Sequence, residues 1–403
     1  MTRIFFPGHG WPGRKVVAVI VLAVATSGIA AGPGARRKPM ENQRQRCREL
    51  GITIGVLPTG PLNAITDVSG VRVGHQTLVE GEAVRTGVTA VLPHGDNIFQ
   101  QKVPAAVVVG NGFGKLVGVT QIRELGLLES PIVLTNTLST FMAADAVVAH
   151  TLKQSGNEEV RSINPVVGEC NDGYLNDIRA QRVTGADVVK AISEARTGAV
   201  AEGCVGAGTG TRCMGWKGGM GTASRQLPQG IGGYTVGVLV QTNFNGILSV
   251  NGAPVGRKLG RYYLKELKPG EQDKDRGSCM VVVATNAPVD ARQLGRLGKR
   301  ALLGLAAVGS PMTHGSGDYV ISFSSEPGLR TTHTGGDPVE QRQRLRDDAL
   351  SPLFQAVKEA TEEAVLNSIF MATTTRGFRG RELAAIPLER VVEICREHGV
   401  LGK

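Results

Sequence analysis

The chain has 403 residues, 41% of them hydrophobic, enough to bury a large core, and 55 glycines against only 4% aromatics. That balance fits a globular protein with many tight turns and close backbone contacts, and no low-complexity tract or internal repeat breaks it. The net charge of +10 invites a nucleic-acid reading, but Arg3, Arg14, Lys15, Arg36, Arg37 and Lys38 fall in residues 1–40, where there is no acid; the remaining residues carry only +4 and no basic stripe interleaved with aromatics, so no nucleic-acid partner is expected.

Residues 1–40 read as a basic leader. Arg14-Lys15 precede an uncharged stretch over 16–35 with an apolar core at 16–25, small residues at Ala30-Ala31-Gly32, and then Arg36-Arg37-Lys38. This is the pattern of a secretory signal, and export to a periplasmic or secreted location is the expectation. An uncleaved membrane anchor through 16–35 is the alternative. A start of translation at Met40, which would make the protein cytoplasmic, is a third.

After the leader, 52–56 and 71–73 read as short strands separated by turn chemistry at Pro58-Thr59-Gly60-Pro61. Buried strands are expected at 103–109 and 132–134. A helix follows over 139–152, with Phe141, Ala144, Val148 and Leu152 on one face, and another over 185–195. The glycine-rich run 203–233 leads into a strand at 234–241. It lacks the Gly-Lys-Ser/Thr ending of a phosphate loop and the strand–helix setting of a dinucleotide fingerprint, so turns and close backbone packing are its expected work and no cofactor is expected.

A polar, charged run over 270–276 then meets the apolar, β-branched run 279–284 at Gly277-Ser278. Locally this is a loop ending before a strand. It also delivers a hydroxyl to the lip of a buried strand with an uncrowded glycine carbonyl before it. Cutting that bond would leave a serine carrying a nucleophile and its own α-amine, a known way of activating a weak nucleophile.

Beyond it, Leu294, Leu297, Ala301, Leu305 and Val308 mark one helix face, 319–323 a strand, and 353–370 and 388–398 two closing helices, the last stopped by Gly399. Strands and helices come in blocks, which argues for a layered α+β sandwich. No linker divides the chain after the leader, so residues 41–403 read as a single catalytic domain with one soft cut site near 268–278. Six scattered cysteines and seven histidines form no metal-ligand spacing, and no metal is expected.

Several polar segments gain meaning together. Glu169 to Asp177 packs acids and amides around a tyrosine, Asn243 ends a strand where it could donate to an oxyanion, and Ser316 and Asp318 stand two apart at a strand's mouth. In order, Asn63 to Val68, Gly70 to His75, Arg85 to Thr89, Gly110 to Gly114, Leu134 to Thr137, the Glu169 segment, Val205 to Gly210, Gly215 to Arg225, Asn243-Phe244, Gly277-Ser278 and Ser316-Gly317-Asp318 resemble the L-aminopeptidase/D-esterase (D-Ala-esterase/amidase, DmpA-like) family of self-processing serine peptidases, over about 48–400.

The resemblance implies a four-layer αββα sandwich like that of N-terminal-nucleophile hydrolases but with different connectivity. It implies self-cleavage at Gly277-Ser278 into 41–277 and 278–403, and assembly as a homo-oligomer, commonly a tetramer. The implied substrates are amino-acid amides, esters and short peptides with a free amino terminus. Ser278 matches the nucleophile, Asn243 the oxyanion donor, Ser316 and Asp318 the pair supporting the nucleophile and its amine, and Glu169 the carboxylate for the substrate ammonium. Asn171 stands where some members have an aromatic in the substrate pocket, and Asp318 where some have Glu. Two other readings are acyl transfer of the ornithine-acetyltransferase type, which uses threonine where this chain has Ser278, and an unprocessed binding protein on the same scaffold.

Overall fold

The apolar run after Gly277 forms the strand Ser278–Thr285, buried along its whole length. Met280, Val282 and Ala284 turn one way, into a cluster with Leu134 and Val166 of a second sheet. Cys279, Val281 and Val283 turn the other way, into a cluster with Leu297, Ala301, Val357 and Ala360 of two helices. Side chains alternate between the faces of a strand, so one covered on both sides must be apolar throughout.

In the computed structural model, residues 43–265, 277–335 and 339–401 are described. The leader, the charged run 270–276 and most of the expected cut site near 268–278 lie outside them. The described residues from Arg44 onward form one compact unit. One of its sheets runs Arg72–Glu80, Val84–Leu92, Ile132–Asn136, Val166–Cys170, Leu116–Val117. The other has seven strands, in the order Met220–Gln226, Thr235–Asn243, Ser278–Thr285, Gly317–Ser324, Gln101–Gly112, Thr331–Thr332, with Leu127–Leu128 also pairing Gln101–Gly112.

Helices Thr140–Leu152 and Gly185–Ser193 cover the first sheet, packing Ala143, Val147, Val188 and Ala191 on Val88, Ala90 and Val133. Helices Ala291–Ala307 and Ser351–Phe370 cover the second. The result is the expected α+β, four-layer αββα sandwich. No helix among the described residues is long and apolar enough to cross a membrane.

Three local expectations need correction. Residues 52–56 are not a strand: Ile52 makes one isolated bridge to Leu401, and the Ile54 carbonyl is held by Arg225. In helix Thr140–Leu152, Phe141 and Leu152 are exposed, at 70% and 43%, while Ala143, Ala146, Val147 and Thr151 face inward. That helix is apolar on more than one face, so spacing alone does not choose between them, and the face with smaller side chains takes the close packing. The glycine-rich run holds a whole strand, Met220–Gln226. There a Cβ on Gly221 would lie 2.0 Å from the Ala364 carbonyl oxygen, so glycine is what lets helix Ser351–Phe370 approach.

That approach is locked by charge. Arg225, fully buried, bonds Glu359 at 2.9 Å and Glu363 at 2.7 Å, both on the helix. Glu359 also accepts from the Val56 and Leu57 amides, and Glu363 from Arg48. Removing one partner from such a cluster strands buried charge. Arg225→Met, made in a Ser278→Ala chain to keep the polypeptide intact, is expected to lose about 3–5 kcal/mol in urea unfolding. A loss under about 1 kcal/mol, the scale of an exposed pair, would contradict this role.

Candidate active site

Ser278 is the first residue of its strand, between two neighbours. In the antiparallel register it faces Asn243, the last residue of Thr235–Asn243, and in the parallel register it faces Gly317, the first of Gly317–Ser324. The Asn243 Nδ2 donates to Ser278 Oγ at 3.2 Å, and Asn243 Oδ1 accepts from the Arg212 amide at 3.2 Å, which fixes the amide's orientation. On the other side the Gly317 amide donates to the Gly277 carbonyl at 3.3 Å. The carbonyl ahead of the serine thus already carries a donor.

Gly277 is tightly enclosed. A Cβ built on it would lie 3.1 Å from Ser316 Oγ and 3.2 Å from Phe244 Cα. Ser316 is therefore beside the Gly277–Ser278 bond, buried, and its hydroxyl has no hydrogen-bond partner among the described residues. Asp318 is fully buried and pairs with Cys279 in register, so it lies on the strand face opposite the Ser278 side chain.

Cys170 is the thiol beside the serine, donating to the Gln241 carbonyl at 3.5 Å. Burial pushes it well above the usual thiol range; a bond with Ser278 pulls it down, and the charges of Glu169 and Asp318 push it further up. It stays a neutral thiol at physiological pH and does not compete as a nucleophile.

Ser278 opens into a cleft of about 430 Å³. Gly277, Glu169 and Asn171 line it, together with Thr137, Lys115 and Tyr174. Glu169, near the end of Val166–Cys170, accepts from the Thr137 hydroxyl and from the Lys115 amide at 3.1 Å, and the Lys115 ammonium lies 3.8 Å away. Asn171 is exposed and bonds the Gly173 amide. The structure brings Ser278, Gly277, Glu169 and Asn171 to one cleft. Asn243, Ser316 and Asp318 support it from behind. Lys115, Arg212 and Arg381 carry no signal in the sequence, because isolated cations have no spacing pattern.

Among the described residues no group of three or more His, Cys, Asp or Glu side chains could hold a metal ion. A model of peptidase family S58 matches residues 63–383. The chain belongs to that family. It is 38% identical over 408 residues to beta-peptidyl aminopeptidase BapA of Sphingosinicella microcystinivorans, spanning 95% of this chain and 96% of the relative. Two solved structures superpose closely. A Burkholderia beta-aminopeptidase does so with a TM-score of 0.80 at 40% identity, over 89% of this chain and 99% of the other. The L-aminopeptidase D-Ala-esterase/amidase of Ochrobactrum anthropi, a prototype serine aminopeptidase and a variant of the N-terminal-nucleophile hydrolase fold, does so with a TM-score of 0.80 at 37% identity, over 89% and 99%. The S58 member described here is accordingly a serine-type aminopeptidase and amidase, a hydrolase. Neither acyl transfer nor a non-catalytic scaffold is favoured by these likenesses.

Behind the cleft wall, Asp172 is fully buried, and one of its oxygens accepts from Asn176 at 3.0 Å. Burial raises its carboxyl to about 7, with bonds from Thr86 and Asn176 pulling back. An unfolded aspartate titrates near ~3.9. Between these values the unfolded chain gives up a proton that the folded one keeps, so stability falls as pH rises from about 4 to about 7. Asp172→Asn is expected to flatten that part of the urea-midpoint profile. An unchanged slope would assign the pH dependence elsewhere.

Proposed function

We propose that Ser278 is the nucleophile of two successive reactions, and the observation that carries this is the Asn243 Nδ2–Ser278 Oγ contact at the mouth of a cleft that also holds Glu169. In maturation, Ser278 Oγ attacks the Gly277 carbonyl carbon. The Gly277–Ser278 amide gives way to an ester, the serine nitrogen leaves as a free amine, and water hydrolyses the ester to free both ends. The Gly317 amide, already on the Gly277 oxygen, stabilises the charge that develops there.

In turnover, the freed α-amine of Ser278 takes the hydroxyl proton as Oγ attacks the substrate carbonyl. An α-amine titrates near ~7.7–8.0, which suits a base at neutral pH. Ser316 and Asp318 position that amine. Asn243 donates to the oxyanion, the leaving amine takes the proton, and water clears the acyl-enzyme. Glu169, held by Thr137 and the Lys115 amide, pairs the substrate's ammonium and so favours cleavage of the first residue. Asn171 lines the pocket for that residue's side chain.

Substrates on this reading are amides, esters and short peptides with a small free N-terminal residue. The relatives' names support including β-amino-acyl amides. The family resemblance supports a homo-oligomer, a tetramer, and the pattern of residues 1–40 supports an exported enzyme.

Wild-type protein should run as two fragments on a denaturing gel, with intact masses for pieces split at 277/278, and Ser278→Ala should give one chain. Two pieces from the alanine variant would sink the proposal. Asn243→Ala is expected to lower kcat by roughly 100–1,000-fold, the usual effect of losing an oxyanion donor, measured on protein confirmed as cleaved. A loss below about threefold would remove Asn243 from that role.

A further inference from the structure

The cleft that opens on Ser278 carries one acid, Glu169, and three cations, Lys115, Arg212 and Arg381. Lys115 is engaged, its ammonium 3.8 Å from Glu169. Arg212 and Arg381 differ: neither makes an ion pair with a carboxylate among the described residues. Instead their guanidinium carbons lie 5.7 and 5.2 Å from the centroid of the Tyr174 ring, so one aromatic holds both. Arg381 also donates to the Tyr174 carbonyl at 3.4 Å. A guanidinium over an aromatic face keeps most of its donors free, Arg381 giving one to that carbonyl, and the remaining fork matches a carboxylate.

Their position matters as much as their charge. Arg212 is tied through its amide to Asn243, on one side of Ser278. Glu169 is on the other side: a Cβ on Gly114 would lie 3.4 Å from Glu169 Oε1 and 3.1 Å from Gly317 Cα, and Gly317 is the opposite neighbour of Ser278. Glu169 and the Arg212 backbone therefore stand on opposite sides of the serine, and the two guanidiniums line the same cleft beside Tyr174. Strands on either side of a central one are about 10 Å apart. An extended dipeptide spans about 7 Å between its ends, so both of its charged termini come within side-chain reach.

We propose that Arg212 and Arg381 form a carboxylate subsite on the leaving-group side of Ser278, making this enzyme selective for dipeptides with a free C-terminal carboxylate over the corresponding amides. The inference rests on the reading of Ser278 and Glu169 given above, which supplies the direction of the substrate. Glu169 takes the ammonium, Ser278 meets the bond between, and the arginines take the carboxylate of the departing amino acid. A neutral C-terminal amide leaves both guanidiniums without an anion. A third residue would carry the carboxylate about 3.5 Å further along the chain.

The test compares kcat/KM for a dipeptide X-Ala and its amide X-Ala-NH₂, where X is whichever residue is released fastest from a panel of p-nitroanilides. Wild type is expected to prefer the free acid on the order of tenfold or more, the scale of one charge-assisted contact. The Arg212→Met/Arg381→Met double variant should bring the ratio close to one, and Arg212→Lys/Arg381→Lys should restore part of it. Self-cleavage at 277/278, read on a gel, checks that each variant has folded. Raised salt should shrink the wild-type ratio and leave that of the double methionine variant unmoved. Equal or faster hydrolysis of the amide by wild type would overturn the subsite, as would a preference that survives both methionines. Failure of wild type to release any p-nitroanilide would instead strike the reading of Ser278 and Glu169.

Discussion

One pairing governs the rest of the molecule: Ser278 held in register between Asn243 and Gly317. Three strands meet at that row, one antiparallel and one parallel to the serine's own, and each supplies a group within reach of the Gly277–Ser278 bond. Asn243 reaches the hydroxyl, the Gly317 amide the carbonyl ahead of it, and Ser316, just before Gly317, lies beside Gly277. A shift by one residue would turn every side chain in the strand to the opposite face and take the hydroxyl out of the cleft. Precision at the site is therefore a property of the sheet.

The sheet keeps that register because both of its faces are buried. Met280 and Val282 are covered by the partner sheet, Val281 and Val283 by two helices. The Arg225–Glu359–Glu363 cluster ties the longer helix to the outermost strand, Met220–Gln226, and through Val56 and Leu57 to the segment that precedes the first sheet. Charge inside a core adds little net stability against an apolar substitute, but it admits few alternative packings. The site is built on rigid elements for that reason, and its cleft is walled by turn segments such as the one carrying Asn171 and Tyr174.

Much of this was legible in the chain. The run 279–284 could only be a strand covered on both faces, and Leu294, Leu297, Ala301 and Leu305 chose the correct helix face because the opposite face of that helix is charged. Helix Thr140–Leu152 misled because it has apolar residues all round, and size rather than spacing decided which side packed. Glu169 resembled a loop residue locally; the strand Val166–Cys170 is too short, and too near its polar end, to announce itself. Arg212 and Arg381 gave no signal at all. They are 169 residues apart, and only the fold brings them to one tyrosine.

On the mechanism proposed above, a single residue, newly made N-terminal, supplies both the base and the nucleophile. Its most direct test is to quench the enzyme during turnover of an activated ester, such as an alanine p-nitrophenyl ester, and to map the acyl group by peptide mass. The expected result is a mature subunit whose first residue is Ser278, with the acyl group on that residue. An acyl group on Ser316, Cys170 or any other side chain, or a subunit that begins elsewhere, would contradict it.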